Sequence, residues 1–295
     1  MTTIRLIFIA SLLLLTGCNS KESTEQLKER ITTELGKQSG IFAVAFKDLS
    51  TGEELLINEH VQFHAASTMK TPVLIEVYKQ AGEGRFSLND SITVKNEFKS
   101  IVDSSLFSLN PADDSEQELY KQVGKKKLLS ELVYDMIIVS SNLATNIVID
   151  LVDAKKVTRT MRDLGAPDID VLRGVEDQKA FEHGLINSTT AFDHLVIFEK
   201  MAKGEIVSQE ASDAMIKVLI DQKFNDIIPA KLPNDVKVAH KTGWITGVHH
   251  DCGIVFLPDG RKYVVVFLSK EMKDPDAGIK AMAAASEMIY QHVMQ

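Results

Sequence analysis

Phe63-His64-Ala65-Ala66-Ser67-Thr68-Met69-Lys70 is the stretch on which the reading of this chain turns. Met69, Val73, Leu74, Val77 and Tyr78 follow at helical spacing, so the segment predicts a helix that opens at Ser67. Lys70 then lies about one turn beyond Ser67, on the same face and within side-chain reach. A serine hydroxyl is a poor nucleophile until a base takes its proton. A lysine becomes such a base when burial or a second cation lowers its pKa. The helix N-terminus also stabilises negative charge developing beside it. The competing reading is structural, because serine is a favoured helix cap.

Two later stretches give the first one a context. Ser140-Ser141-Asn142 falls at the joint between two helical patterns, Leu128, Leu129, Leu132, Val133, Met136 and Ile137 before it and Leu143, Ile147, Val148 and Leu151 after it. Such a joint points side chains into a cleft, where Ser140 relays a proton and Asn142 holds a substrate amide; its structural reading is a capped turn. Ser-x-Asn recurs at Ser87 and Ser108, in turn-like sequence without that framing. Lys241-Thr242-Gly243 occurs once and ends a predicted strand, Val236 to His240. Alternation puts Lys241 and Gly243 on one face. Lys241 there raises the positive potential and lowers the pKa of Lys70, Thr242 binds a carboxylate, and Gly243 admits a flat ligand against the strand. A strand-end turn is the structural alternative.

The three motifs, in this order, resemble those of the penicillin-recognising serine enzymes, the class A β-lactamases and penicillin-binding proteins. Ser-x-Asn is closer to class A than to relatives with Tyr-x-Asn or Ser-x-Val. Arg173-Gly174-Val175-Glu176 sits where class A carries its loop glutamate, and Ser188-Thr189-Thr190 resembles the threonine run after it. The resemblance covers residues 25–295. It implies Ser67 as nucleophile, Lys70 and Glu176 as candidate bases, and Ser140 as proton relay. Asn142, Lys241, Thr242, Gly243 and Trp244 are the implied substrate-binding residues, with the N–H groups of Ser67 and Trp244 as oxyanion donors. The order of elements along the chain, set out below, gives the expected fold: an α/β (α+β) architecture in which an antiparallel sheet, flanked by terminal helices, carries a mostly helical insertion, a serine β-lactamase/D,D-peptidase-like arrangement by the same resemblance.

Several positions depart from the family pattern. Ser141 stands where the family usually has Asp. Ala180 replaces the Asn that helps hold the deacylating water. Cys252 occupies the place of an arginine that supports the Lys-Thr-Gly lysine, with His249 and His250 nearby as expected strand-edge residues. A polar stretch near 103–127 lengthens the interval between the first two motifs. Acylation is therefore expected to be intact and deacylation to be weakened.

The rest of the chain fits an exported enzyme. It has 295 residues, 44% hydrophobic and 25% charged, within the range of a globular protein with a large core. A net charge of −8 excludes the basic excess of a nucleic-acid binder. Lys125-Lys126-Lys127 reads as a solvated helix start. Arg5, the apolar run Leu6 to Leu15 and Leu15-Thr16-Gly17-Cys18 resemble a bacterial lipoprotein signal, too short to span a bilayer comfortably. The resemblance implies residues 1–17 as a leader, Cys18 as the lipidated residue and 18–24 as a tether; the alternative is an ordinary secretory signal with an incidental Cys. The expected product is a monomeric membrane-anchored lipoprotein facing the periplasm or cell exterior. Cys252 is then unpaired and is read as a small buried apolar residue.

Within the catalytic domain, 25–295, the α/β part is placed at about 25–66 and 226–295 and the helical part at about 67–225. Ser23 with Gln26 forms a capping-box pattern before Leu27, Ile31 and Leu35. Phe42 to Phe46 and Glu54 to Ile57 form a hairpin across Thr51-Gly52. Residues 164–188 read as a long irregular loop, followed by helices near 189–203 and 208–220. Cys252 to Leu257 and Tyr263 to Leu268 are strands, and Asp274-Pro275 opens a final helix. No His/Cys/Asp cluster has metal-ligand spacing, so no metal or cofactor is expected. The expected substrate is a small-molecule β-lactam or a cell-wall peptide. The leading reading is a β-lactam hydrolase; the alternatives are a D-alanyl-D-alanine peptidase and a slow-turnover penicillin-binding protein or sensor.

Overall fold

A computed structural model describes residues 22–295; the leader and Cys18 lie outside the described residues. Its centre is a five-stranded antiparallel sheet. The strands are β1 (Ile41–Asp48), β2 (Glu54–Ile57), and three that follow the small pairs described below: β9 (Lys237–Ile245), β10 (Val248–Phe256) and β11 (Lys262–Lys270). Their order is β2-β1-β11-β10-β9, so the two ends of the chain meet where β1 pairs with β11.

Both faces of the sheet are covered, which explains why its strands are almost continuously apolar. Period-two alternation sends Phe42, Val44 and Phe46 of β1, with Tyr263, Val265 and Phe267 of β11, into one core. Ala43, Ala45, Val264, Val266 and Leu268 enter the other. The first core is closed by α1 (Thr24–Leu35) and by the terminal helix α9 (Pro275–Val293). The Ser23 hydroxyl accepts from the Gln26 N–H at 3.3 Å and the Gln26 side chain returns the bond to the Ser23 N–H at 2.9 Å, completing the capping box. Leu27, Ile31 and Leu35 are the buried stripe it starts.

The second core belongs to the helical part. Here α2 (Lys70–Gly82) runs through the middle and is buried over most of its length. Around it stand α3 (Leu129–Ile138), α4 (Asn142–Val152), α5 (Ala154–Asp163), α7 (Ala191–Ala202) and α8 (Gln209–Ile220), with the short α6 (Gln178–Glu182) outside. Small strand pairs connect them: β3 (Phe63–His64) with β8 (Ser188–Thr189), β4 (Ser91–Thr93) with β7 (Lys126–Leu128), and β5 (Phe98–Lys99) with β6 (Leu106–Phe107).

Four expectations are corrected. Lys125-Lys126-Lys127 is no helix start: Lys126–Leu128 is strand β7, its backbone is satisfied by β4, and Lys127 pairs with Asp135 at 2.5 Å. The loop 164–188 contains a helical turn, α6, started by the Asp177 carboxylate accepting from the Ala180 N–H. Strand β9 does not stop at His240 but continues to Ile245, because β10 supplies partners as far as Val248↔Ile245. Lys241-Thr242-Gly243 is therefore the middle of an edge strand, and a strand-end turn is ruled out. His250 is also no strand-edge residue: it is buried, its Nε2 lies 2.9 Å from the His64 carbonyl, and burial pushes its pKa down to about 4.

Candidate active site

The three motifs converge on one cleft of about 560 Å³, walled by Ser67, Ser140, Asn142, Glu176, Thr242 and Trp244 among others. Ser67 lies in a short 3-10 turn, Ala66–Met69, that precedes α2. Its hydroxyl makes no hydrogen bond to another described residue, so it is not a helix cap. The turn is held under strain. Ala66 has φ of 45°, costly for a residue with a Cβ, and its N–H donates to His64 Nδ1 at 2.9 Å. The Thr68 hydroxyl donates to the Ala65 carbonyl at 2.6 Å.

Lys70 is completely buried. Its Nζ donates to the Ser140 carbonyl at 2.6 Å, to Ser140 Oγ at 3.0 Å and to Asn142 Oδ1 at 3.0 Å. In this resting arrangement it makes no bond to Ser67; catalytic hydrogen bonds often tighten only when substrate is bound. Burial lowers its pKa to about 7, against the opposing pull of Asp114 and Glu176. Lys241 is buried too, and its pKa is pushed well down, first by burial and then by the charge of Lys70. The expectation that Lys241 sets the Lys70 pKa is thus replaced: loss of water is the main cause for each.

Ser140 sits between the two amines. Lys241 Nζ is 3.1 Å from Ser140 Oγ and 2.8 Å from the Thr242 carbonyl. With both amines donating to Ser140 Oγ, the serine keeps its own proton for a third group. Ser140 has φ of 58°, the bend that turns the α3–α4 joint into the cleft.

Asn142 bridges the two candidate bases. Its Oδ1 accepts from Lys70 and its Nδ2 donates to Glu176 Oε1 at 2.7 Å. Glu176 has φ of 62°, and its pKa is raised, chiefly by burial, with the Asn142 bond opposing and Asp114 and Asp113 assisting. The preceding residue is pinned to α4, as Asn146 Oδ1 accepts from the Val175 N–H at 2.7 Å and Asn146 Nδ2 donates to the Val175 carbonyl at 3.0 Å. Neither Asn146 nor Asp114 was singled out from sequence. Asn146 lies one helical turn beyond Asn142, a periodicity that would have flagged it.

Gly243 lies against the Ser67 turn. A Cβ there would stand 2.9 Å from the backbone nitrogens of both Ser67 and Thr68, closer than real contacts allow. Gly243→Ala is expected to part β9 from the turn and to destabilise the fold by about 1–3 kcal/mol, the range for overpacking a close contact. Denaturant unfolding reads it, and an unchanged midpoint would contradict the fit described. Trp244 follows on the rim, 66% exposed, with its ring stacked on His249. It is not core; it lines the rim of the cleft.

A model of the Beta-lactamase enzyme family matches residues 26–293. The chain belongs to that family. A β-lactamase of Bacteroides uniformis is 26% identical over 96% of this chain and 97% of its own. Among solved structures, a β-lactamase from Sphaerobacter thermophilus is 25% identical with a TM-score of 0.78, covering 92% of this chain and 97% of that one. PBP-A is 26% identical with a TM-score of 0.78, over 91% of this chain and 96% of its own. The architecture is therefore the class A β-lactamase and penicillin-binding-protein fold.

Against that family, the departures acquire physical content. Ser141 caps α4 with its hydroxyl, accepting from the Ala144 N–H at 3.2 Å. The Ala180 methyl is buried and does not line the cleft, so this position offers no polar group to a water beside Glu176. Cys252 pairs with Lys241 across β9 and β10, fully buried, with burial holding its thiol protonated well above the usual range. It cannot supply the positive charge of an arginine.

Proposed function

We propose that this chain is a serine β-lactamase of the class A type. The observation that carries the reading is the grouping of an unengaged Ser67 hydroxyl with Lys70, Ser140, Asn142 and Glu176, in which burial brings the Lys70 pKa to about 7. In the proposed sequence Lys70 or Glu176 takes the Ser67 proton, directly or through water, as Oγ attacks the lactam carbonyl. The N–H groups of Ser67 and Trp244 hold the oxyanion. Ser140 passes its proton to the lactam nitrogen as the C–N bond breaks and takes one from Lys70 Nζ, which donates to its Oγ, leaving an ester on Ser67. Lys241 and Thr242 bind the carboxylate. Water deprotonated by Glu176 then hydrolyses the ester.

A second reading, a penicillin-binding protein or D-alanyl-D-alanine peptidase with slow turnover, is favoured by Ala180. PBP-A lies among the structural neighbours, and a variant of it is described as an acyl-enzyme complex with penicillin G. Incubation with benzylpenicillin and, separately, with a peptide ending in D-alanyl-D-alanine distinguishes them. The β-lactamase reading expects catalytic amounts of penicilloate and little free D-alanine; the reverse would overturn it.

The N-terminal sequence supports anchoring of an exported protein through a lipidated Cys18. Radiolabelled palmitate should enter the protein in a bacterial host and be lost in Cys18→Ser; a label retained in that variant would reject the anchor.

A further inference from the structure

We propose that Asp114 is a positioning residue of the active site: its carboxylate clamps the first turn of α4 and thereby fixes Asn142 between Lys70 and Glu176. The inference rests on the acylating role proposed for Ser67.

The first turn of a helix leaves N–H groups without intrahelical partners. In α4 two side chains share them. Ser141, the neutral residue where a carboxylate is usual, takes only the Ala144 N–H. Asp114 takes the two before it: its Oδ2 accepts from the Asn142 N–H and the Leu143 N–H, each at 2.9 Å. The Tyr120 hydroxyl donates to the same oxygen at 2.9 Å, and the Glu116 N–H donates to Oδ1 at 3.1 Å. Asp114 is only 6% exposed. Burial and Asp114 together raise the Tyr120 pKa, so the phenol stays a donor.

Asp114 is supplied by the polar stretch near 103–127, between two 3-10 turns, Pro111–Asp113 and Glu118–Gln122. The lengthened stretch therefore brings a charged cap to α4 from 28 residues away. Asn142 is the first residue of α4 and, among the described residues, the only side chain bonded to both candidate bases. Anchoring its backbone fixes that bridge. Asp114 also acts through its charge, favoured at a helix N-terminus. The charged groups around Lys70 and Glu176 are Lys241 from β9, Asp113 and Asp114 from the polar stretch, and each other; Asp114 raises the pKa of both bases.

Asp114→Asn keeps the shape and removes the charge. It is expected to lower the acylation rate with benzylpenicillin roughly tenfold to a hundredfold. The acid limb of the acylation pH profile should move to lower pH, whichever base is used, because the charge that raised both is gone. A cap with no bearing on the site would move neither that limb nor Asn142. Tyr120→Phe removes one donor and no charge at Asp114, and should lower acylation a few-fold with the limb in place. Crystal structures of both variants, free of substrate, read the Asn142 side chain directly. Displacement of Asn142 from Lys70 or Glu176 in Asp114→Asn supports the proposal. An Asn142 that keeps both bonds, with an unmoved limb, overturns it while leaving wild-type acylation intact. A wild type that never acylates, with Asn142 displaced in the variant, sinks the acylating role of Ser67 and not the clamp.

Discussion

Glu176→Gln is expected to convert the protein into one that acylates with benzylpenicillin and stalls. The substitution preserves size, and the Gln carbonyl can still accept from Asn142 Nδ2, which is 2.7 Å from Glu176 Oε1. What is lost is the base. Loss of a positioned general base slows the step it serves by about 10²- to 10⁴-fold. In the proposed mechanism that step is hydrolysis of the ester. The turnover number should fall by that factor while adduct builds up to one per protein molecule. Burial raises the Glu176 pKa, and the base form is the ionised one. Wild-type deacylation should therefore fall off at a pH above the ordinary carboxylate range, and the variant should lack that limb. Unaltered turnover would remove Glu176 from the mechanism.

Lys70→Met has the second large effect, on acylation. Methionine fills most of the lysine's space without an amine. Acylation should slow by about 10²- to 10⁴-fold, again the range for a removed base. The wild-type rate should rise with pH through about 7, as Lys70 loses its proton and becomes able to accept one. The variant should lose that rise. Stability gives an independent check of sign. The folded pKa of Lys70 is about 7 and the unfolded value about 10.5, so the unfolded chain binds more protons between them. This contribution is fully present above the unfolded value and is lost as pH falls through about 7. Part of the rise in melting temperature across that window should therefore vanish in Lys70→Met, and Lys241, shifted in the same direction, should account for another part. A wild-type rate flat across pH 6 to 8 would contradict the base role.

The fold was legible wherever a local rule acted alone. Ser23 with Gln26, Asp274-Pro275 and the apolar runs of β1, β10 and β11 each carry their own cap or continuous apolar stretch, and the terminal helices and antiparallel sheet follow from them. Sequence pattern alone ends β9 at His240 because Lys241-Thr242-Gly243 has no apolar alternation; pairing to β10 carries the strand through it. The lysine run hides its strand for a like reason, its partner β4 being more than 30 residues away. The motifs named the residues that line the cleft, but not what joins them. Asn142 touches Glu176 across 34 residues and Lys70 touches Ser140 across 70, and neither bond leaves a local pattern. Asp114 was hidden most completely, an aspartate in a polar stretch whose acceptors' partners lie on another element.

The most direct test of the account is the intact mass of the purified protein, followed over time with excess benzylpenicillin. The account predicts an adduct of one penicillin on Ser67 that forms, then clears as penicilloate accumulates. A protein that never gains that mass and never consumes the drug would contradict it.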